Sequence, residues 1–389
     1  MKHFNHYEPL FYAGDELHDW KLNKLNSLMK EQGLDALLLF KHDSVRYVTE
    51  FYTKGYRPFL DFDYLAIVPL NQEPIIGYSM GGEERRIQIR SKVNDSRKLP
   101  GFSKWSEAIE EILSDYNLLN KHIGFDLMPH FIHENLKKQL PGAHLIDISD
   151  IWSNITAIKH PLEIELIKKS LDIAQSGLRS AMNALAPGKM ELEISAIGEF
   201  TMRQQGSELN PFIPVVASGE NAAVWERLAT EKQMNEGDMV VLDFGCVYKG
   251  YTGDFARTTI IGNPTEEQKN LYKAAYASLQ EAMKNVKAGV LCSEIDKIAR
   301  DVLIEHGYSK YQHPWATGHQ LGYGLHGAPV IDRGVNAPLK AGMVINIEPS
   351  IYTYDDLSIG GVELEDTILV TETGYEKLTS FEYEAKLLD

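Results

Sequence analysis

The chain is 389 residues long, 43% hydrophobic and 24% charged, with 55 acidic against 39 basic residues and a formal net charge of −16. Its length allows two or three domains, each with a core of its own. So acidic a balance excludes partners that demand a basic surface, nucleic acids and anionic membranes above all, and two cysteines, Cys246 and Cys292, build neither a disulfide framework nor a thiolate metal site.

Taken in order, the first residues carry no basic-then-apolar leader. No stretch approaches the roughly 18 consecutive apolar residues of a membrane span, so the cytoplasm is the expected compartment. Residues 16–33 bear a helical stripe of Leu17, Trp20, Leu25 and Leu28 that Gly33 ends. Residues 35–40 (DALLLF) read as a buried strand, YLAIVPL and PIIGYS as two more, residues 105–113 as a short helix, and HIGFD and HLIDIS as further strands. Strands alternating with helices predict an N-terminal α/β domain over residues 1–155, without a catalytic cluster.

Pro161 opens the next helix, on which Ile164, Ile167, Leu171, Ala174, Leu178 and Ala181 recur at spacings of three and four. Further helices are predicted over 191–205, over 266–286, and from a cap at Ser293 to Gly307. Residues 240–261 (VVLDFGCVYKGYTGDFARTTII) read as two strands joined by a turn at 248–250, and the C-terminal third reads as strands. The expectation for residues 156–389 is α+β, with helices packed on one face of a mostly antiparallel sheet.

Within residues 240–261, Asp243 shares a face with Val241, Gly245 and Val247, and Asp254 shares one with Thr252, Ala256 and Thr258. The two aspartates stand about equally far from the turn, so they are expected roughly opposite each other. Carboxylates so placed in apolar strands repel, and burial adds to the strain. They share a proton, hold one or more cations between them, or face water.

Three further stretches place ionisable groups where apolar ones belong. His319 and His326 lie in a glycine-rich run with little helical or strand character. Glu348 interrupts an apolar strand, where Pro349 holds it extended. Glu363 and Glu365 are two apart, hence on one face of a strand. Singly, each has a plainer role: loop histidines make structural hydrogen bonds, and strand glutamates face solvent. Together, Asp243, Asp254, Glu348, Glu365 and His319 form an oxygen-rich set that favours Mn²⁺ over a structural zinc and suits a two-metal site. The run Gly322-Tyr-Gly324-Leu-His-Gly327 fits a dinucleotide fingerprint, but Pro329, Gly334 and Pro338 forbid the helix that must follow.

Four motifs, VVLDFG…GYTGDFART, GHQLG…LHGAP, NIEPSIY and GGVELEDTILVTE, stand in that order. On them the chain resembles the creatinase, aminopeptidase P, prolidase and methionine aminopeptidase family from about residue 158 to about 384. The resemblance implies a pita-bread catalytic domain over 156–389 behind a smaller creatinase/prolidase-type α/β domain over 1–155. It implies two divalent ions per chain, manganese foremost, with cobalt, zinc or iron as alternatives. Asp243 would hold one ion, Asp254 and Glu365 would bridge both, and His319 and Glu348 would complete the second. A hydroxide between the ions would attack an amide carbonyl, with Glu348 taking the water's proton and His326 binding the substrate beside the scissile amide. A homodimer and a small-molecule or short peptide substrate are implied as well.

Three positions depart from the family pattern. SGENAAVWE puts Trp225 and Glu226 where Pro-His is usual, GGVELED puts Glu363 where an arginine is usual, and Gly327 replaces a common glutamate. Glu226 and Glu363 are therefore expected at the substrate, where added negative charge favours a cationic or amine-bearing group over an anionic one. The leading expectation is an Xaa-Pro dipeptidase or aminopeptidase P-like hydrolase. The alternatives are a non-peptidase of the same fold, an amidohydrolase or lyase acting on a small amine- or cation-bearing substrate, and a binding protein that keeps its metals as structure.

Overall fold

The computed structural model describes residues 14–51, 63–225, 227–312 and 315–389. It divides into two compact units, Met1–Ile155 and Thr156–Asp389.

The first unit contains α1 (Asp15–Glu31), β1 (Ala36–Leu39), α2 (His42–Thr49), β2 (Tyr64–Pro69), β3 (Ile75–Tyr78), α3 (Glu83–Arg90), β4 (Asp95–Lys98), α4 (Trp105–Asp115), β5 (His122–Phe125), α5 (His130–Gln139) and β6 (His144–Asp147). Among the described residues, six strands form one sheet in the order β4-β3-β2-β1-β5-β6, antiparallel where β1, β2 and β3 meet and parallel elsewhere. Leu38, Ile67 and Ile123 of the sheet pack on Trp105 and Ile109 of α4. The α/β expectation holds. The sequence reading lacks α2, α3, α5 and β4, all short and polar: β4 is Asp-Ser-Arg-Lys, with no side chain of it buried.

The second unit follows α6 (Ser149–Ala157) and contains α7 (Pro161–Asn183), α8 (Glu191–Gln204), β7 (Val215–Ser218), β8 (Met239–Tyr248), β9 (Tyr251–Ile260), α9 (Glu266–Lys284), α10 (Cys292–Glu305), β10 (Gly318–Gly322), β11 (Gly324–Ile331), β12 (Val344–Ile347), β13 (Ser350–Tyr352), β14 (Gly361–Glu363), β15 (Asp366–Val370), β16 (Tyr375–Lys377) and α11 (Ala385–Leu388). Two helix pairs cover the strands. Ile173, Leu178 and Met202 of α7 and α8 pack against Leu242, Phe244 and Phe255 of β8 and β9. Leu271, Leu279 and Ile295 of α9 and α10 pack against Ile345, Val362 and Ile368. The α+β expectation, with a mostly antiparallel sheet, is met.

At the tip of the β8–β9 hairpin, Lys249 and Gly250 both have positive φ, 49° and 84°, the two-residue turn whose twist matches its strands. Glycine is required again at Gly253, where a Cβ would fall 2.6 Å from backbone atoms of Ser170 and Leu171 on α7. That close approach fixes β9 at the point where Asp254 begins.

Two local readings are corrected. The N-cap of α10 is Leu291, not Ser293. The amides of Cys292 and Ser293 donate to the carbonyls of Ala337 and Val335, 3.0 Å each, and the Ser293 hydroxyl turns to Asn336. The glycine-rich run with His319 and His326 is a hairpin, β10 against β11, whose register shifts at two points. Those irregularities, with Gly322 and Gly324 at φ 157° and 116°, hide its strand character from a pattern of alternation.

Candidate metal and active site

Asp243 lies mid-way along β8 and Asp254 on β9, but not opposite each other. Asp243 pairs with Ala256 and Asp254 with Gly245, a two-residue offset that sets the carboxylates diagonally on one face. Glu365 joins them from the break between β14 and β15, its amide donating to the Ala256 carbonyl at 3.2 Å. One carboxylate oxygen from each of Asp243, Asp254 and Glu365 lies within 4.8 Å of the others. His319 enters from β10, with Nε2 3.6 Å from Asp254 Oδ2 and 3.5 Å from Glu348 Oε1. Glu348 sits in the break between β12 and β13, where its amide donates to the Thr317 carbonyl at 2.8 Å. Glu363 and Glu365 both face the site, though not from one strand, since β14 ends at Glu363 and β15 begins at Asp366.

Hydrogen bonds behind these side chains hold them in place. Asn346 Nδ2 donates to Glu365 Oε1, and Thr367 Oγ1 donates to Asn346 Oδ1 at 2.8 Å. The buried guanidinium of Arg257 donates to the Glu365 carbonyl and, at 2.9 Å, to Asp366 Oδ1. Thr258 Oγ1 donates to the Glu363 carbonyl at 3.0 Å and accepts from its amide at 2.9 Å.

Burial pushes Asp243 and Glu365 well above the ordinary carboxylate range. The charge of Asp254 adds to this in both. Asp254 is raised as well, by burial first and then by Glu363. Burial pushes the imidazole of His319 down to about 3, with His326 adding to the effect, so it is neutral at physiological pH. Its Nδ1 lies 3.2 Å from the Gln320 carbonyl, which only accepts. When Nδ1 donates to that carbonyl, Nε2 is left to present a lone pair towards the two carboxylate oxygens, the tautomer that a cation between them requires. Among the described residues, no hydrogen-bond donor reaches Asp243 Oδ1 or Asp254 Oδ1. Buried acceptors left without donors and a lone pair aimed at carboxylates are mutually repulsive arrangements that cations between them reverse. The residues present fit divalent metal.

Asp243, Asp254, His319 and Glu348 form the floor of a cavity of about 330 Å³, walled by Phe212, Trp225, Leu228, Trp315, His326 and Glu363. His326 stands edge-on to His319 at 4.5 Å and to Trp315 at 5.0 Å between ring centres. Burial lowers its pKa too. Glu363 turns into the cavity, and the Tyr352 hydroxyl donates to its Oε2 at 2.9 Å. Of the expected substrate residues, Glu226 lies outside the described residues. Sequence reasoning did not find Trp315, which sits in a loop with no periodic signal. Asn346 and Tyr352 did leave one, as polar groups on otherwise apolar strands.

A carboxylate-rich floor with one neutral imidazole, beneath two helix pairs on antiparallel strands, defines a metal-dependent hydrolase of the pita-bread fold. Residues 165–372 match the description "Metallopeptidase family M24", and residues 21–155 match "Creatinase/Prolidase N-terminal domain". The Xaa-Pro dipeptidase of Pyrococcus horikoshii is 32% identical over 367 residues, 94% of this chain and 98% of that protein. The crystal structure of the prolidase from Pyrococcus horikoshii OT3 superposes with a TM-score of 0.80 at 30% identity, over 94% of this chain and 99% of that one. That of the X-Pro aminopeptidase from Thermotoga maritima gives 0.83 at 25% identity, over 93% and 98%. The chain belongs to metallopeptidase family M24 and is a metal-dependent peptidase. Among the described residues, no helix is long and apolar enough to cross a membrane.

Proposed function

We propose that the protein is a dinuclear metallopeptidase of the Xaa-Pro type, hydrolysing the amide bond before proline in a short peptide. The observation that carries this is the position of His319 Nε2, 3.6 Å from Asp254 Oδ2 and 3.5 Å from Glu348 Oε1, beside the buried Asp243 Oδ1 and Asp254 Oδ1, which have no donor among the described residues. The relatives named Xaa-Pro dipeptidase and X-Pro aminopeptidase support the substrate class. Asp243 would hold one ion, Asp254 and Glu365 both, and His319 and Glu348 the second, with manganese the first choice for so oxygen-rich a set. Bound divalent ions lower the pKa of water by many units and polarise a carbonyl, the chemistry that amide hydrolysis at neutral pH requires. Glu348 stands at the edge of the floor to take the attacking water's proton. His326, held neutral by burial, presents an N–H to the substrate's carbonyl oxygen. The walls of Phe212, Trp225 and Trp315 exclude water and take the apolar pyrrolidine ring.

The test is chelation and reconstitution of the purified full-length chain. Stripping metal is expected to abolish cleavage of Ala-Pro and of Ala-Pro amide, and manganese to restore it at two ions per chain. Asp254→Asn is expected to lose at least about a thousandfold in kcat, the scale of losing a group that acts on the reacting centre. Full activity in metal-free protein, or with a single ion per chain, would overturn the reading. A second reading keeps the same centre but assigns a small amine- or cation-bearing non-peptide, and is favoured by the Glu363 carboxylate in the cavity wall. A panel of cationic amides against Xaa-Pro dipeptides separates the two, and turnover confined to the former would select the second.

A further inference from the structure

Asp296 and Arg300 stand one turn apart on α10, and neither lines the cavity. Both are buried, at 1% and 8% exposure. Arg300 Nε donates to both carboxylate oxygens of Asp296 at 2.9 Å. Taking two charges out of water is costly, and the cost is offset only where further hydrogen bonds use the remaining donors and acceptors. Two such bonds leave the helix for one short segment. Arg300 Nη2 donates to the carbonyl of Trp315, and the Thr317 hydroxyl donates to Asp296 Oδ1 at 2.6 Å. The residues on both sides of Ala316 are thus tied to a single turn of α10.

The two ends of that segment are not held alike. Backbone bonds fix Thr317 from its other side: its amide donates to the Ile331 carbonyl and its carbonyl accepts from the Glu348 amide, 2.8 Å each. Those bonds remain when the ion pair is removed, and they keep β10 and Glu348 in place. Trp315 stands at the far end, where Arg300 holds its carbonyl. Its ring is part of the cavity wall, with its centre 5.0 Å from that of His326 and 5.9 Å from that of His319.

We propose that Asp296 and Arg300 are positioning residues for the substrate cavity: the pair holds residues 315–317 so that the Trp315 ring stays against His326, and its loss weakens substrate binding more than it slows the chemistry. The inference rests on reading this cavity as the substrate site. A staple that merely joined α10 to its neighbours would change stability and leave Trp315 as it is.

The test uses full-length, manganese-loaded protein. Asp296→Asn/Arg300→Met removes both charges together and leaves no buried charge unpaired. Thr317→Val removes one hydrogen bond and keeps the pair. In each protein, subtracting the emission of the matching Trp315→Phe version isolates the Trp315 fluorescence, with no need of turnover. That emission is expected to move to longer wavelength, and to be quenched more readily by acrylamide, in the neutral-pair variant, and to a smaller extent in Thr317→Val. With Ala-Pro amide as substrate, KM should rise about tenfold in the neutral-pair variant while kcat stays within about threefold, the scale on which a displaced wall group acts. In a Trp315→Ala background the same pair substitution should leave KM nearly unchanged, because both changes act through one contact. Unaltered Trp315 emission and quenching in both variants, or an undiminished KM effect in the Trp315→Ala background, would overturn the proposal. Should the neutral-pair variant fail to fold, Thr317→Val carries the same comparison. Absence of Ala-Pro amide cleavage by the wild type would count against the Xaa-Pro reading alone, with the Trp315 signal still deciding this one.

Discussion

Both carboxylate oxygens of Glu191, the fully buried first residue of α8, lie 3.0 Å from Asn221 Nδ2. The same carboxylate accepts from the amide and hydroxyl of Ser218, at 2.7 and 2.8 Å, and from those of Thr230, at 3.0 and 2.7 Å. One side chain thus ties together both ends of the segment 218–230, which carries Trp225 and Leu228 of the cavity wall.

Replacing Glu191 with alanine strands the buried donors of Ser218 and Asn221 and the partly buried ones of Thr230, and each unmade bond to a charged group is expensive. A loss of about 3 kcal/mol is expected by urea denaturation. Because none of the proposed metal ligands lies in the segment, manganese stoichiometry should hold while KM rises more than kcat falls. Glu191→Gln, which keeps one acceptor oxygen, should recover part of both effects. Equal KM in all three proteins would show that the clamp does not shape the wall.

A second prediction concerns the acidic floor. Without metal, Asp243, Asp254 and Glu365 have folded-state pKa values above their ordinary ones. Groups raised in this way stabilise the fold below their unfolded pKa, near about 4, and that contribution disappears as pH climbs through the folded value. The chelated protein should therefore lose melting temperature between about pH 5 and about pH 8 on their account. Manganese removes the repulsion and competes with protons, so the rise in melting temperature that it produces should grow over the same range. Melts with chelator and with excess manganese at several pH values measure this directly. A metal-induced rise that shrinks with pH would contradict the cluster's role.

A third prediction follows from Gly253. An alanine there would place its Cβ 2.6 Å from the Leu171 nitrogen and the Ser170 carbonyl carbon, and backbone atoms cannot rotate aside as a side-chain end can. Separation of α7 from β9 is expected to cost about 3 kcal/mol and to move the adjacent Asp254. Gly253→Ala should consequently bind manganese more weakly than wild type, as read by titration calorimetry. Wild-type metal affinity in a folded Gly253→Ala protein would mean that the helix contact does not position the aspartate.

The carboxylates of the floor were legible in the sequence because each breaks an apolar strand: Asp243 between Leu242 and Phe244, Glu348 after Val-Ile-Asn-Ile. A charge in such a setting has few bland explanations. The offset between Asp243 and Asp254 was not legible, because it depends on which residues close the turn, and one position either way moves every pair by two. His319 was found by type but misplaced by element, since β10 carries glycines and bulges where alternation should be. Glu191 gave no signal at all. It sits at the head of an ordinary amphipathic helix, and only the return of residues 218–230 to that end gives it partners.

The last prediction lies in the first unit, at a buried ion pair. Lys21 Nζ donates to Glu50 Oε1 at 2.8 Å, with the lysine wholly buried and the glutamate almost so. His18 Nδ1 lies 3.8 Å from the same oxygen. Burial alone would raise Glu50, but the charge of Lys21 outweighs it with the help of His18, and the net shift is downward. A depressed carboxylate stabilises the fold above its unfolded pKa, near about 4, and loses that contribution as pH falls through the lower folded value. Lys21→Met inverts the sign, because the buried carboxylate then keeps only His18 beside it, burial outweighs that contact, and the folded pKa rises. At neutral pH this variant should lose about 3–5 kcal/mol, the usual penalty for breaking one side of a buried pair. The deficit relative to wild type should shrink as the pH is lowered towards about 4, where Glu50 protonates in the variant. The double variant Lys21→Met/Glu50→Gln should recover most of the loss, since a neutral amide tolerates the same burial far better than an unpaired charge. Urea denaturation of the three proteins at about pH 4 and about pH 7 measures all of this. A deficit in Lys21→Met that is the same at both pH values would show that the lysine contributes by packing against Tyr47, 4.8 Å from its ring, and not by holding Glu50 ionised.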